Sequence, residues 1–272
     1  MKDYLDNRFV YVALSRRAHG LAIGVNLNPD RRCNFNCLYC EVNRALPLVE
    51  GKLDIKVMAE ELDRTLTMAR RGQLRQRPAY QAFPEELLRL RDVALTGDGE
   101  PTLADDFAEA VKAVIHVRAS SGIPFFKIVL LTNASSLRSA PVRAGLKYLT
   151  NSDEVWTKLD AGTEAWFGKI NRTTISYDTI LSNILGLAKE RPVVIQSLFP
   201  SIHGEEPKVE EIEAYAHRLK ELRDAGAQIS CVQIYSASRP SMRSECRHIP
   251  LRSLSLIAQR VRQVSGLKTE IF

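Results

Sequence analysis

No stretch of the sequence approaches the roughly 18 consecutive apolar residues that a membrane-crossing helix needs, so no membrane association is predicted. The opening residues, MKDYLDNRF, set no apolar segment behind a basic one. No signal peptide is therefore predicted, and a cytoplasmic location is the expectation. Repeats at a fixed period and low-complexity tails are missing. Cysteine is scarce: there are five in 272 residues, an odd number, and three of them fall within eight residues. That distribution excludes a disulfide scaffold and points to one compact site plus two single thiols, Cys231 and Cys246. Charge of one sign is lacking too. The 38 basic and 32 acidic residues leave a net charge of +6, which permits a nucleic-acid partner without requiring one. RNP motifs, an OB-fold pattern and aromatics interleaved with basic residues are absent.

What is present is an alternation of strand and helix patterns. Strands are predicted over 21–27, 91–97, 125–132, 154–161, 192–199 and 228–236. Helices are predicted over 54–68, 104–117, 137–149, 174–190, 209–225 and 251–264, the third weakened by Pro141 and Gly145. Strands apolar on both faces and joined by helices argue for a parallel sheet. The pattern fits either an open doubly wound sheet or a curved, incomplete barrel. In both, chemistry sits beyond the carboxyl ends of the strands. The polar motifs fall there: Cys33–Cys40, Asp98–Glu100, Asn133, Asp160, His203 and Tyr235. Residues 69–80 read as a polar insertion rich in arginine and glutamine, and no second domain is evident.

The segment CNFNCLYC places sulfurs at positions 33, 37 and 40. Three thiolates this close suit an iron–sulfur cluster or another soft metal. With no fourth thiolate nearby, a cluster would keep one iron open to an outside ligand. Zinc is the competing reading, since a catalytic zinc also keeps a position open. Plain buried thiols fit less well, because Asn34 and Asn36 make the segment polar and loop-like.

Cys33-x3-Cys37-x2-Cys40, with Tyr39 before the last cysteine, resembles the signature of the radical S-adenosylmethionine (SAM) enzymes. The resemblance covers about residues 21–240. It implies an α/β fold, an incomplete (β/α)6 TIM-like barrel with parallel strands. It implies one domain over 1–272, with a C-terminal helical extension at 241–272. It also implies that Cys33, Cys37 and Cys40 hold a [4Fe-4S] cluster whose fourth iron takes SAM, and that the Tyr39 backbone lies near the adenine.

Further motifs follow in order. In Gly97-Asp98-Gly99-Glu100-Pro101 the glycines allow a tight turn and close ligand approach, and a carboxylate can receive an ammonium group. An ordinary strand-to-helix turn would read the same way. The resemblance makes Asp98, Gly99 and Glu100 the contacts for the amino group of SAM, although Asp98 stands where glycine is commoner. Asn133 either touches SAM or substrate or caps the next helix. Ala134 follows it where relatives have glycine, which disfavours a left-handed backbone angle. Strand alternation sends Lys158 and Asp160 to one face, where they either form a structural pair or contact ribose or substrate. Gln196 is a candidate SAM or substrate contact. Gln233 and Tyr235 share a face of the last strand, and His203 reads as a solvated loop residue.

The resemblance implies an enzyme that cleaves SAM reductively and abstracts hydrogen from a small-molecule, protein or RNA substrate. It implies an electron donor such as flavodoxin or ferredoxin. Short, single-domain iron–sulfur oxidoreductases are the nearest type, with a distant similarity to tRNA wyosine-base synthases. RNA modification is one alternative, motivated by Arg70, Arg71, Arg75 and Arg77 and by Arg239, Arg243, Arg247 and Arg252. These arginines otherwise read as solvated. An activase for a glycyl-radical protein and a non-catalytic zinc protein are the others.

Overall fold

The computed structural model describes residues 2–43, 51–237 and 242–272. They form two compact units. One comprises residues 2–32, 51–131 and 139–154; the other comprises 33–43, 132–138, 155–237 and 242–272.

The first unit carries β1 (Val10–Ser15), β2 (Gly20–Asn26), α1 (Ile55–Arg70), β3 (Leu90–Thr96), α2 (Phe107–Ser120), β4 (Lys127–Thr132) and α3 (Ala140–Leu146). Its strand order is β1-β2-β3-β4, with β1 antiparallel to β2 and the rest parallel. β2 is buried along its whole length, as a strand covered on both faces must be. Gly24 is required there, because a Cβ would lie 2.1 Å from the Tyr11 ring on β1. α1 starts at Asp54, whose side chain accepts the Val57 N–H at 3.1 Å, and it buries Met58, Leu62, Thr65 and Leu66 at helical spacing. Its buried Glu61 accepts the N–H groups of Arg8, Phe9 and Val10 at 2.8–3.2 Å, which fixes the entry to β1.

The second unit carries β5 (Glu154–Lys158), α4 (Glu164–Asn171), α5 (Tyr177–Glu190), β6 (Val193–Leu198), β7 (Pro200–Ile202), α6 (Val209–Asp224), β8 (Ile229–Tyr235), β9 (Cys246–His248), α7 (Leu251–Ser265) and β10 (Thr269–Ile271). β5, β6, β8 and β10 lie side by side and parallel, and β7 pairs antiparallel with β9. Lys158 stands opposite Gln196, and Gln196 opposite Gln233. Partners in register share a face, so Lys158, Gln196 and Gln233 form a polar row across these strands, with Trp156, Val194 and Cys231 on the same face nearer the amino ends. The other face carries Val155, Leu159, Ile195, Val232 and Ile234, all buried.

All six predicted strands and all six predicted helices are present, with ends shifted by a few residues. Four features went unread. β1, α4 and the β7–β9 pair were not predicted, and the stretch beyond 241 contains β9 and β10 besides its helix. The insertion at 69–80 is two short 3-10 turns pinned by buried Leu74 and Tyr80, with the Tyr80 hydroxyl donating to Asp3 at 2.9 Å. Among the described residues, no helix is long and apolar enough to cross a membrane.

Candidate active site

The cysteine loop belongs to the second unit. Cys33, Cys37 and Cys40 are half-buried, and no disulfide links cysteines among the described residues. α4 holds the loop. The N–H of Asn36 donates to the Asn171 carbonyl at 3.1 Å, and that of Leu38 to the Ile170 carbonyl at 2.8 Å. These carbonyls close the last turn of the helix and have no partner within it. Thr173 Oγ1 donates to the Asn34 carbonyl at 2.9 Å, a third tie. Leu38 is buried with Ile170, Ile202 and Cys246, so Cys246 belongs to the apolar packing beneath the loop. A cavity of about 530 Å³ opens beside Cys33, lined also by Asn34, Asn36, Arg172 and Thr173.

Polar groups at the ends of β5, β6 and β8 join this loop in one network. The Tyr39 hydroxyl donates to Asp160 Oδ2. Asp160 Oδ1 receives Lys158 Nζ and the Leu198 N–H, each at 2.8 Å. Lys158 also donates to the Tyr235 hydroxyl at 2.7 Å and lies over the rings of Tyr39 and Tyr235. Gln196 donates to Gln233 at 2.9 Å on the same face. Asn171 donates from Nδ2 to both Asp160 Oδ2, at 3.0 Å, and Cys37 Sγ, at 3.5 Å. The structure thus brings Tyr39, Lys158, Asp160 and Cys37 into one network.

The electrostatics follow from the burial. Desolvation, reinforced by the Asp160 anion, pushes the Cys37 thiol up to about 12. The same two causes hold the Tyr39 hydroxyl well above its usual range. Burial pulls the Lys158 ammonium down, but Asp160 outweighs it and the net shift is upward. Lys158 is therefore a fixed cation at neutral pH.

Asn133 lies in the same unit and donates to Asn34 Oδ1 at 2.9 Å while accepting the Ser135 N–H at 3.0 Å. It thus ties the segment 132–138 to the cysteine loop within the second unit. The next residue, Ala134, adopts φ +67°, the left-handed angle that its side chain disfavours. The neighbourhood imposes that angle: Ala134 N–H donates to Thr132 Oγ1 and its carbonyl accepts Asn183 Nδ2, both at 3.0 Å.

Asp98, Gly99 and Glu100 belong to the first unit. Asp98 pairs with Lys2 at 2.7 Å and accepts Asn26 Nδ2 at 2.8 Å. Glu100 is buried; its Oε1 accepts the Thr102 N–H and hydroxyl at 3.2 and 2.7 Å, and its own N–H donates to the Arg32 carbonyl at 2.9 Å. Gly99 is obligatory, since a Cβ would stand 1.9 Å from that carbonyl. Asn28, which no motif flagged, is 1% exposed, has no partner for either amide atom among the described residues, and packs against Gly97 and Gly99.

Three thiols within eight residues of one loop are a donor set that an iron–sulfur cluster would fit. Among the described residues, no group of three His, Cys, Asp or Glu side chains is arranged to hold a metal ion. His203 is exposed in the β7 turn, and Arg239 lies outside the described residues.

A loop of three cysteines beside polar strand ends, on an α/β fold of this order, defines a radical SAM catalytic domain. The model of the Radical SAM superfamily matches residues 27–219, and the chain belongs to that superfamily. It is 28% identical over 239 residues to a UPF0026 protein of Helicobacter pylori (strain J99), covering 85% of this chain and 68% of that one. A UPF0026 protein of Synechocystis is 26% identical over 184 residues, 66% of this chain and 60% of its own length. Among solved structures, TYW1 with a lysine–pyruvate adduct bound matches at TM-score 0.60 and 18% identity, covering 96% of this chain and 85% of its own. Streptococcus suis SuiB bound to its precursor peptide SuiA matches at TM-score 0.61 and 14% identity, covering 94% and 49%. At these identities the likeness shows the fold, an α/β fold of the class that the resemblance implied.

Proposed function

We propose that the protein binds a [4Fe-4S] cluster through Cys33, Cys37 and Cys40 and uses it to cleave SAM reductively. When bound, such a cluster supplies one electron that splits SAM into methionine and a 5′-deoxyadenosyl radical, which takes a hydrogen atom from the substrate. The carrying observation is the three-cysteine loop held by the end of α4, within a superfamily match. Tyr39 and Asn171 orient the loop toward Asp160. Asp160 and Gln196 offer hydrogen-bonding groups for SAM or substrate, and Asn133 holds the loop from the other side. Lys158 keeps a fixed positive charge in the polar row. Glu100 and the backbone around Gly99 are assigned to the amino group of SAM, with Asp98 stabilising the turn through Lys2 and Asn26. An acidic electron donor of the flavodoxin or ferredoxin type completes the cycle. The test is anaerobic reconstitution followed by SAM and dithionite. Formation of 5′-deoxyadenosine and methionine supports the reading, and formation of neither overturns it.

RNA as the substrate is a second reading. Arg70, Arg71 and Arg75 are exposed on one short stretch, and phosphate contacts would use such side chains. Binding that weakens steeply with salt supports it; no binding at low salt removes it.

A further inference from the structure

We propose that Asn171 is a positioning residue for Cys37, supplying through its side-chain N–H a hydrogen bond that raises the reduction potential of the group Cys37 holds. This rests on the reading of Cys37 as a cluster ligand. α4 ends at Asn171 because Arg172 turns into the left-handed region, φ 47°. The freed carbonyls of Ile170 and Asn171 then accept the N–H groups of Leu38 and Asn36, which flank Cys37 on either side. The Cys37 main chain is therefore fixed to the carboxyl end of a helix. That end carries partial negative charge, and Asp160 adds a full one on the far side of the Asn171 amide. Both oppose negative charge on the sulfur.

The Asn171 amide opposes that field. Its nitrogen has two hydrogens and two acceptors, Asp160 Oδ2 and Cys37 Sγ. Turning the amide over would point its oxygen at a carboxylate and a sulfur, so the orientation is set. The residue is 2% exposed, and its Oδ1 has no partner among the described residues, so the amide hydrogens act where the local dielectric is low. Hydrogen bonds to cluster sulfurs set reduction potentials. A donor stabilises the more negative, reduced form.

The experiment compares midpoint potentials of anaerobically reconstituted wild type, N171A and N171S, followed by EPR of the reduced cluster. At a fixed solution potential, N171A is expected to show a tenfold lower ratio of reduced to oxidised cluster, a shift of about 59 mV for one electron. N171S, whose hydroxyl can donate, is expected to recover part of it. Equal iron and sulfide with a ratio within threefold of wild type in N171A overturns the inference. If N171A does not retain the cluster, wild type labelled with ¹⁵N at asparagine amides is examined by pulsed EPR. A weak nitrogen coupling is expected, and its absence overturns the inference. Wild type without iron or sulfide would instead overturn the cluster reading itself, so the two failures are separable.

Discussion

Lys158 and Asp160, two residues apart at the end of β5, form an ion pair of 2.8 Å in which the carboxylate is fully shielded from solvent. The same carboxylate receives Tyr39, Asn171 and the Leu198 N–H. Every hydrogen bond around Asp160 is thus a donation to an anion, and Lys158 is the neutralising charge.

Removing that charge leaves an uncompensated buried anion. K158M is expected to cost about 3 kcal/mol of stability, within the range for breaking a buried pair. Adding D160N to K158M should recover part of the loss, because the two residues act as a unit. Urea unfolding of the single and double variants checks this; strictly additive losses would contradict it.

A second buried carboxylate carries a pH signature. Burial pushes Asp92 up to about 6, from a usual 3.8, although Lys127 opposite it on β4 pulls the other way. Between those values the folded chain keeps a proton that the unfolded chain has released. Stability therefore falls as pH rises through that window, by roughly 3 kcal/mol in all. D92N should remove this slope. Denaturant midpoints at pH 4 to 7 test it, and an unchanged slope in D92N would exclude Asp92 as the source.

Ala134 holds a left-handed angle at a cost that glycine would not bear. A134G is expected to raise stability by roughly 0.5–1 kcal/mol, the relief of strain exceeding the added chain entropy. An increased urea midpoint with an unchanged slope is the expected result, and a lowered midpoint the contrary one.

Gly99 sits so close to the Arg32 carbonyl that any side chain must move one or the other. G99A is expected to destabilise by about 1–3 kcal/mol, as overpacking does. SAM affinity should fall with it, because the displaced turn carries Glu100. Unchanged unfolding and unchanged SAM binding in G99A would contradict the close packing.

Much of this was legible in the sequence because the signals were local. CNFNCLYC concentrates three cysteines in eight residues, and strand alternation alone put Lys158 with Asp160 and Gln233 with Tyr235. Asn171 was illegible: it lies 134 residues from Cys37, and nothing near it in the chain distinguishes it from any helix-ending asparagine. Asn28 is similar, since its lack of partners among the described residues exists only once Gly97 and Gly99 pack against it. The left-handed angle of Ala134 contradicts its own residue preference and is imposed by Thr132 and Asn183. β1 was missed although Val10–Leu14 is a fair strand pattern, whereas three-residue β10 gives no periodicity to read. α4 offers only two helical turns.

The central claim is that three cysteines hold a four-iron cluster and leave one iron for SAM. Mössbauer spectroscopy of ⁵⁷Fe-reconstituted protein, with and without SAM, tests it most directly. The account predicts about four irons and four sulfides per chain, with one iron site becoming distinct from the other three when SAM is added. Iron-free protein, or a cluster whose spectrum SAM leaves unchanged, would contradict it.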